Sequence, residues 1–249
     1  MLANITISDI KAKYAGSQLG LVWMLMYPLL LLGAYSFVYI FIFQARFGQM
    51  DSLEYVMLIF SGLIPFLGFT EGLAISIVSI TSNSAIVKNT MFPVEILPVK
   101  AVFFSQCTQT VCFILLGLVT IITGNASGFT FFVIPIWMFQ ILFGIGLGWL
   151  FACLNIYFRD LQNLINVITL FLMMISPIAY TVDMVPVGLR SYLKINPLYY
   201  FISAYQDCFI IGCFPRDGVL GILAFISLAV FWLGYFVFSR LKTVFADNI

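Results

Sequence analysis

Six stretches of about 20 or more mostly apolar residues divide this chain, at 22–43, 55–80, 101–123, 129–156, 162–182 and 218–239. A helix needs about 20 such residues to cross the hydrocarbon of a bilayer. The pattern therefore predicts an all-α integral membrane protein of six transmembrane helices, one domain over 1–249. Composition agrees: charged residues make up 8% of the chain and hydrophobic residues 63%, whereas a soluble domain is about a quarter charged.

The first apolar run is too long for a signal-peptide core and is followed by Gln44 and Arg46 rather than a small-residue cleavage site. It is expected to stay as a span. Just before it, residues 5–21 read as an amphipathic helix lying on the membrane surface. At 100° per residue Ile7, Ile10, Tyr14 and Leu21 share one sector, with Asp9, Lys13, Gly16 and Gly20 opposite. Gly16 and Gly20 would let this helix bend into span one.

With the N-terminus inside, seven basic residues (Lys11, Lys13, Lys88, Lys100, Arg159, Arg240, Lys242) face the cytoplasm and four (Arg46, Arg190, Lys194, Arg216) lie outside. The positive-inside bias supports that orientation, with both termini cytoplasmic.

Several function classes lose their chemistry. The net charge of +1 and the lack of a polybasic block argue against nucleic acid as a partner. There is no histidine, and Cys107, Cys112, Cys153, Cys208 and Cys213 have no zinc-like clustering. Three of the five cysteines sit in apolar runs, which speaks against a disulfide framework; the sequence leaves pairing of Cys208 with Cys213 open. No GxxxxGK[ST] loop occurs, so nucleotide is not held by that motif. Ion-driven carriers place several titratable groups in their spans. Here only Glu71 is clearly inside one, so the energy for any transport is expected from a separate subunit.

Glu71 itself is tolerable. A charge at the bilayer centre costs about 3 kcal/mol on insertion scales, while the fourteen Val, Leu, Ile and Phe residues of span two each favour insertion by about 0.3–0.6 kcal/mol. The carboxyl is expected to face protein, a water-filled path or the headgroup zone. In span four, Gly144, Gly148 and Ala152 recur every four residues and form a flat strip for close helix packing.

Three connections stand out. The loop TSNSAIVKNTMFPVEILPVK between spans two and three offers Ser82 to Ser84 as helix caps and Pro93 and Pro98 as stops. It predicts a short helix parallel to the membrane, carrying Lys88 and Glu95 among apolar residues, which suits docking to a partner protein. The tight turn at Arg159 and Asp160 is a second candidate contact, unless the two charges pair with each other or with headgroups. The longest polar stretch, Asp183 to Asp217, holds INPLYYFISAYQDCFIIG. It is too polar to span twice and its apolar pieces are too long for an ordinary loop, which predicts short helices re-entering the outer leaflet under protein cover.

The strings DIKAKYAGSQLGLVWMLMYPLL, SGLIPF, NTMFPVEILP, NIYFRDLQNL, SPIAYTVDMVP, NPLYYFISAYQD and FADNI, in this order along nearly the whole chain, resemble the transmembrane subunit of ABC-2 polysaccharide exporters. These are the Wzm type that moves lipid-linked O antigen, with relatives for teichoic acid. The resemblance implies a homodimer in the bacterial inner membrane docked on two copies of a cytoplasmic ATPase. That ATPase would bind ATP and Mg, leaving this chain non-catalytic and without a cofactor of its own. It also implies an interface helix at 1–21 and a coupling helix at 82–95. The docking residues are then Ser84, Lys88, Asn89, Phe92 and Glu95, with Arg159 and Asp160 from the turn. Residues 186–214 would form external gate helices, with Pro186, Tyr192, Pro197, Tyr199 and Tyr200 as gate residues. A channel between protomers would carry the glycan while its lipid anchor moves through the membrane.

Aromatic residues, 17% of the chain, offer flat apolar faces with polar edges that suit sugar rings. Trp23, Tyr27, Tyr35 and Tyr39 lie close to one face of span one and, with Glu71, are the channel candidates. Two rivals remain at this level: an exporter of drugs or small lipids on the same fold, and an integral-membrane transferase. The transferase would need a clustered polar site that one intramembrane carboxylate and no histidine make hard to build.

Overall fold

The computed structural model describes residue 6 and residues 17–42, 51–89, 93–180, 185–216, 218–242 and 245. Most of the expected surface helix at 1–21 lies outside them, as do Phe92 and the side chain of Asn89. The described residues are helical wherever they are regular. In order the helices are α1 (Trp23–Ser36, continued by a π-helical stretch Phe37–Ile42), α2 (Ser52–Val78), α3 (Ser84–Asn89), α4 (Ile96–Ile122), α5 (Val133–Tyr157), α6 (Leu161–Ile175), α7 (Val187–Leu193), α8 (Pro197–Gln206, continued by the π-helical Asp207–Ile211) and α9 (Val219–Leu241). Among the described residues five helices are long and apolar enough to cross a membrane: α1, α2, α4, α5 and α9, with α1 and α5 counted together with their π and 3₁₀ extensions.

The sixth expected span, 162–182, is shorter than its apolar run. α6 has 15 residues, about 22 Å at 1.5 Å per residue, against a hydrocarbon core of about 30 Å. The physical reason is Pro177, which drives the residue before it out of the helical region. Ser176 accordingly turns extended, at φ −69° and ψ 142°. The chain beyond is nonetheless buried and hydrogen bonded. Tyr55 donates its hydroxyl to the Ala179 carbonyl (2.8 Å), Gln206 Nε2 to the Pro177 carbonyl (2.7 Å) and Asn196 Nδ2 to Ser176 Oγ (2.8 Å). Irregular backbone is tolerated at membrane depth only with such shielding.

α2 is the centre of the bundle, touching α1, α4, α5, α6 and α8. It begins with a capping box. The Asp51 carboxylate accepts from the Ser52 N–H at 2.8 Å, and Glu54 Oε2 accepts from the Asp51 N–H at 3.3 Å. At its other end the hydroxyl groups act differently from the expectation at Ser82 to Ser84. Thr81 and Ser82 donate back to the Val78 carbonyl (3.1 and 2.7 Å), and Asn83 Nδ2 donates to that of Ser79 (2.8 Å). These side chains close the C-terminus of α2, whose last carbonyls lack helical partners.

The tightest crossing is between α5 and α9. A Cβ at Gly146 would meet the Val230 carbonyl oxygen at 2.5 Å, and one at Gly234 would strike the Gly146 carbonyl oxygen. The expected strip of Gly144, Gly148 and Ala152 does serve packing, but on another face: Gly148 lies against Ser76 and Pro98, and Gly144 against Val102. Gly146, two residues out of that register, makes the closer contact.

Polar contacts define two ends of the bundle. At one, Asn125 Nδ2 reaches Glu54 Oε1 (3.4 Å), Thr130 Oγ1 reaches the Cys208 carbonyl (3.4 Å) and Tyr55 meets Ala179. At the other, Ser76 Oγ donates to the Pro98 carbonyl (3.0 Å), Trp149 Nε1 to the Glu95 carbonyl (3.0 Å) and Asn155 Nδ2 to Thr81 Oγ1 (3.5 Å).

Candidate functional site

A cavity of about 480 Å³ opens among α1, α2, α4 and α6. α1 contributes Trp23, Tyr27 and Pro28, α2 contributes Thr70 and Glu71, α4 Thr108 and Gln109, and α6 Asn166 and Thr169. Trp23 and Tyr27 are four residues apart, so one helical face presents both rings; both are exposed, Tyr27 at 57%. Glu71, half-buried, is on the wall of this partly open cavity. Tyr35 and Tyr39 are not on that wall. They stack on each other with centroids 6.2 Å apart and planes 7° from parallel, but Tyr35 is eight residues past Tyr27, about 80° round an α-helix. The structure therefore joins Trp23, Tyr27 and Glu71 and sets the second tyrosine pair aside.

The wall carries amide, hydroxyl and carboxylate groups beside two aromatic faces. That set can hold a hydroxylated, ring-bearing ligand by hydrogen bonds and stacking.

Behind the cavity lies a polar hub that sequence reasoning missed. Gln109 Nε2 donates to Gln140 Oε1 (3.0 Å), Gln140 Nε2 donates to Gln109 Oε1 (3.1 Å) and to the Pro65 carbonyl (2.9 Å), and Tyr205 donates its hydroxyl to Gln140 Oε1 (2.8 Å). Four helices, α2, α4, α5 and α8, thereby share one buried site. Gln106 sits one turn from Gln109 and accepts from Trp137 Nε1 at 2.7 Å. The signal was present as glutamines inside apolar runs, since interhelical bonding is their ordinary use in a membrane.

The residues expected to form an external gate divide. Pro186, which caps α7, and Tyr192 are exposed. Pro197 occupies the first turn of α8, whose N-cap Asn196 accepts from the Leu198 N–H at 3.0 Å. Tyr199 is buried and meets the half-buried Tyr200 edge to face at 5.1 Å. The polar stretch expected outside thus includes one of the most buried helices. Phe201, Ile202, Ala204 and Tyr205 are each no more than 1% exposed. Where the chain leaves the π-helical turn, Gly212 takes φ +68°, which only glycine adopts without strain. Asp207 then holds Arg216, carboxylate to Nε at 3.2 Å.

The residues expected to dock a partner, as far as they are described, fall at the other end of the bundle. Lys88 is exposed near the end of α3, and Ser84 begins that helix, which has only six residues. Arg159 and Asp160 are exposed in the turn between α5 and α6. The Asn155 to Thr81 contact brings this turn beside the α2–α3 connection. Glu95 has a structural partner the sequence did not suggest: its carboxylate pairs with Lys242, at the C-cap of α9, at 3.3 Å, with both side chains partly exposed.

Comparison with known proteins shows the family. The sequence profile of the ABC-2 type transporter family matches residues 3–210. The O-antigen export system permease protein RfbA of Klebsiella pneumoniae is 28% identical over 253 residues, covering 99% of this chain and 94% of that protein. The protein of the same name from Myxococcus xanthus is 25% identical, covering 100% and 95%. The polysialic acid transport protein KpsM of Escherichia coli is 24% identical, covering 92% and 88%. A chain of apolar membrane-crossing helices, matched by that profile over most of its length, belongs to the ABC-2 type transporter family.

Proposed function

We propose that this chain is the membrane permease of a polysaccharide exporter in a bacterial inner membrane, moving a lipid-linked glycan with energy from a separate ATPase. The observation that carries the reading is the cavity joining Trp23, Tyr27 and Glu71 to Thr70 and the amide of Asn166, a surface suited to sugar rings, in a chain whose relatives are named as an O-antigen export system permease protein and a polysialic acid transport protein. α1 supports a homodimer: only 6% of its 18-residue apolar stretch is buried within the chain. Its free face and the open side of the cavity would line a path between two copies.

Under this reading 1–21 is the interface helix, 82–95 the coupling element seated on the ATPase with Arg159 and Asp160 beside it, and 186–214 the external gate. The end of the bundle holding Glu95 and Lys242 is then cytoplasmic. The buried bond from Tyr205 to Gln140 supports a gate helix inserted between the spans, where a shift of the spans would be felt directly.

The test is deletion in the native host. Lipid-linked glycan should accumulate on the cytoplasmic face and surface polysaccharide should disappear. Unchanged surface polysaccharide in a strain with no second exporter overturns the substrate. A chain that purifies without an ATPase and still transports overturns the energy source. Stimulation of the ATPase by small hydrophobic compounds but not by lipid-linked glycan selects drug or small-lipid export instead.

A further inference from the structure

The segment 82–95 leaves and rejoins the bundle at one small apolar cluster. Ile80, just past α2, is fully buried in it, while Val87 of α3 and Val94 pack against it from the segment itself. Trp149 and Ile156 of α5 and Phe238 of α9 belong to the same cluster. Among the described residues its one member from beyond α9 is Phe245, 1% exposed, three residues past the C-cap Lys242. Such a hold is needed, because α3 has only six residues and a helix that short is marginal by itself.

The far side of the segment is gripped at Glu95. Its carboxylate pairs with Lys242 at 3.3 Å, and its backbone carbonyl accepts from Trp149 Nε1 at 3.0 Å. The indole in turn lies against Phe231, Tyr235 and Phe238, with centroids 5.2, 5.7 and 6.2 Å away. Those three rings are four and three residues apart and share one face of α9. Phe245 then meets Phe238 edge to face at 5.3 Å. α9 packs broadly on α5 and α8, and through these groups it reaches 82–95 as well.

We infer that α9 and Phe245 form a clasp on 82–95, with Phe245 and Lys242 as positioning residues that hold this segment in the shape a partner ATPase binds. The inference rests on reading 82–95 as the coupling element. Phe245 is buried, so it acts through Ile80 and Val87 and not by touching the partner. The ring carries more of the hold than the charge does, since a pair exposed on both sides contributes little.

The full chain in nanodiscs is compared with its variants by hydrogen exchange, and the ATPase recovered with the wild type from its native host is titrated back onto each. Phe245→Ala should speed exchange over 82–95 by about tenfold or more while leaving 197–206 of α8 unchanged, as a local opening does. It should also weaken ATPase binding by about tenfold, because fewer chains hold the binding-competent shape. Phe245→Leu, which keeps most of the apolar volume, should restore both to within about twofold, and Lys242→Ala should change either by no more than about fivefold. Unchanged exchange over 82–95 in Phe245→Ala overturns the clasp, as does a rise that is equal in α8, which would make Phe245 ordinary core. Lys88→Glu separates this inference from the reading beneath it. If Lys88→Glu weakens ATPase binding and Phe245→Ala does not, the clasp is overturned and the coupling element stands; if neither does, the coupling element fails and the clasp with it. Should Phe245→Ala not fold, Lys242→Ala decides, and exchange over 82–95 identical to the wild type overturns the proposal.

Discussion

α1 and α2 are neighbours of nearly the same apolar character, yet 72% of an 18-residue apolar stretch of α2 is buried within the chain against 6% for α1 with its π-helical extension. The difference lies in small and polar side chains rather than in hydrophobicity. α2 brings Gly62 to the backbone of Ile178, Gly68 to Gln109 and Gly72 to Ser105, and it bonds outward through Tyr55, the Pro65 carbonyl and Ser76. In lipid, apolar surface alone gives no preference for protein over hydrocarbon, so close backbone approach and interhelical hydrogen bonds decide which helix is central. α1 buries only Pro28 fully among its described residues, and Gly33 on it meets nothing within 4 Å. α2 is scaffold. α1 presents Trp23 and Tyr27 to the cavity.

Four experiments test that contrast, from the largest expected effect to the smallest. Gly68→Leu drives a side chain into Gln109 and should lower stability by about 3 kcal/mol, at the upper end for overpacking. The same change at Gly33 should stay within about 0.5 kcal/mol. Thermal midpoints of detergent-solubilised protein check the pair, and equal losses would remove the distinction between the helices. Next, Gln140→Leu takes partners from Gln109, Tyr205 and the Pro65 carbonyl at once. With interhelical bonds in membranes worth about 0.6 kcal/mol on average and up to about 1.7, a loss of about 2 kcal/mol is expected. It should be accompanied by weaker hydrogen-exchange protection in α8.

Tyr27→Ala should leave the thermal midpoint unchanged, since the ring is largely exposed, but lower the rate of glycan export. An aromatic face contributes about 0.5–1.5 kcal/mol, so a fall by a factor of about 2–10 is expected in surface-polysaccharide accumulation. Tyr35→Ala, off the cavity wall, should have a smaller effect on export. The smallest change belongs to Glu95→Lys. Its bridge to Lys242 is exposed on both sides, and such pairs contribute about 0–1 kcal/mol. The loss should fade at high salt and be reversed by adding Lys242→Glu. If the double variant regains stability but not ATPase co-purification, Glu95 also faces the partner.

Much of this molecule was legible in its residues because the constraint of the bilayer is severe. Each long apolar run became a helix, with ends moved by a few residues, as where the capping box at Asp51 starts α2 ahead of the apolar run. The break at Ser176 was written in the Ser-Pro dipeptide, but an apolar run of sufficient length hid it. The burial of α8 was legible only in part. Its insertion was expected from NPLYYFISAYQD, whereas its seat on Gln140 depends on a residue 65 positions away. Trp23 and Tyr27 could be paired by their spacing, while the meeting of both with Glu71 required α1 and α2 to pack in one particular register.

What the sequence determined by itself is a chain of long apolar helices, since backbone groups in hydrocarbon must be satisfied within their own helix; it read as six crossings, where five helices among the described residues are long and apolar enough. Tertiary structure alone decided which helix became the core, where the carboxylate of Glu71 points and how four helices share Gln140. Helix formation in a membrane is local, closing each hydrogen bond four residues along the chain. The choice of neighbours is not, because it turns on a few glycines and amides whose partners are far away in sequence.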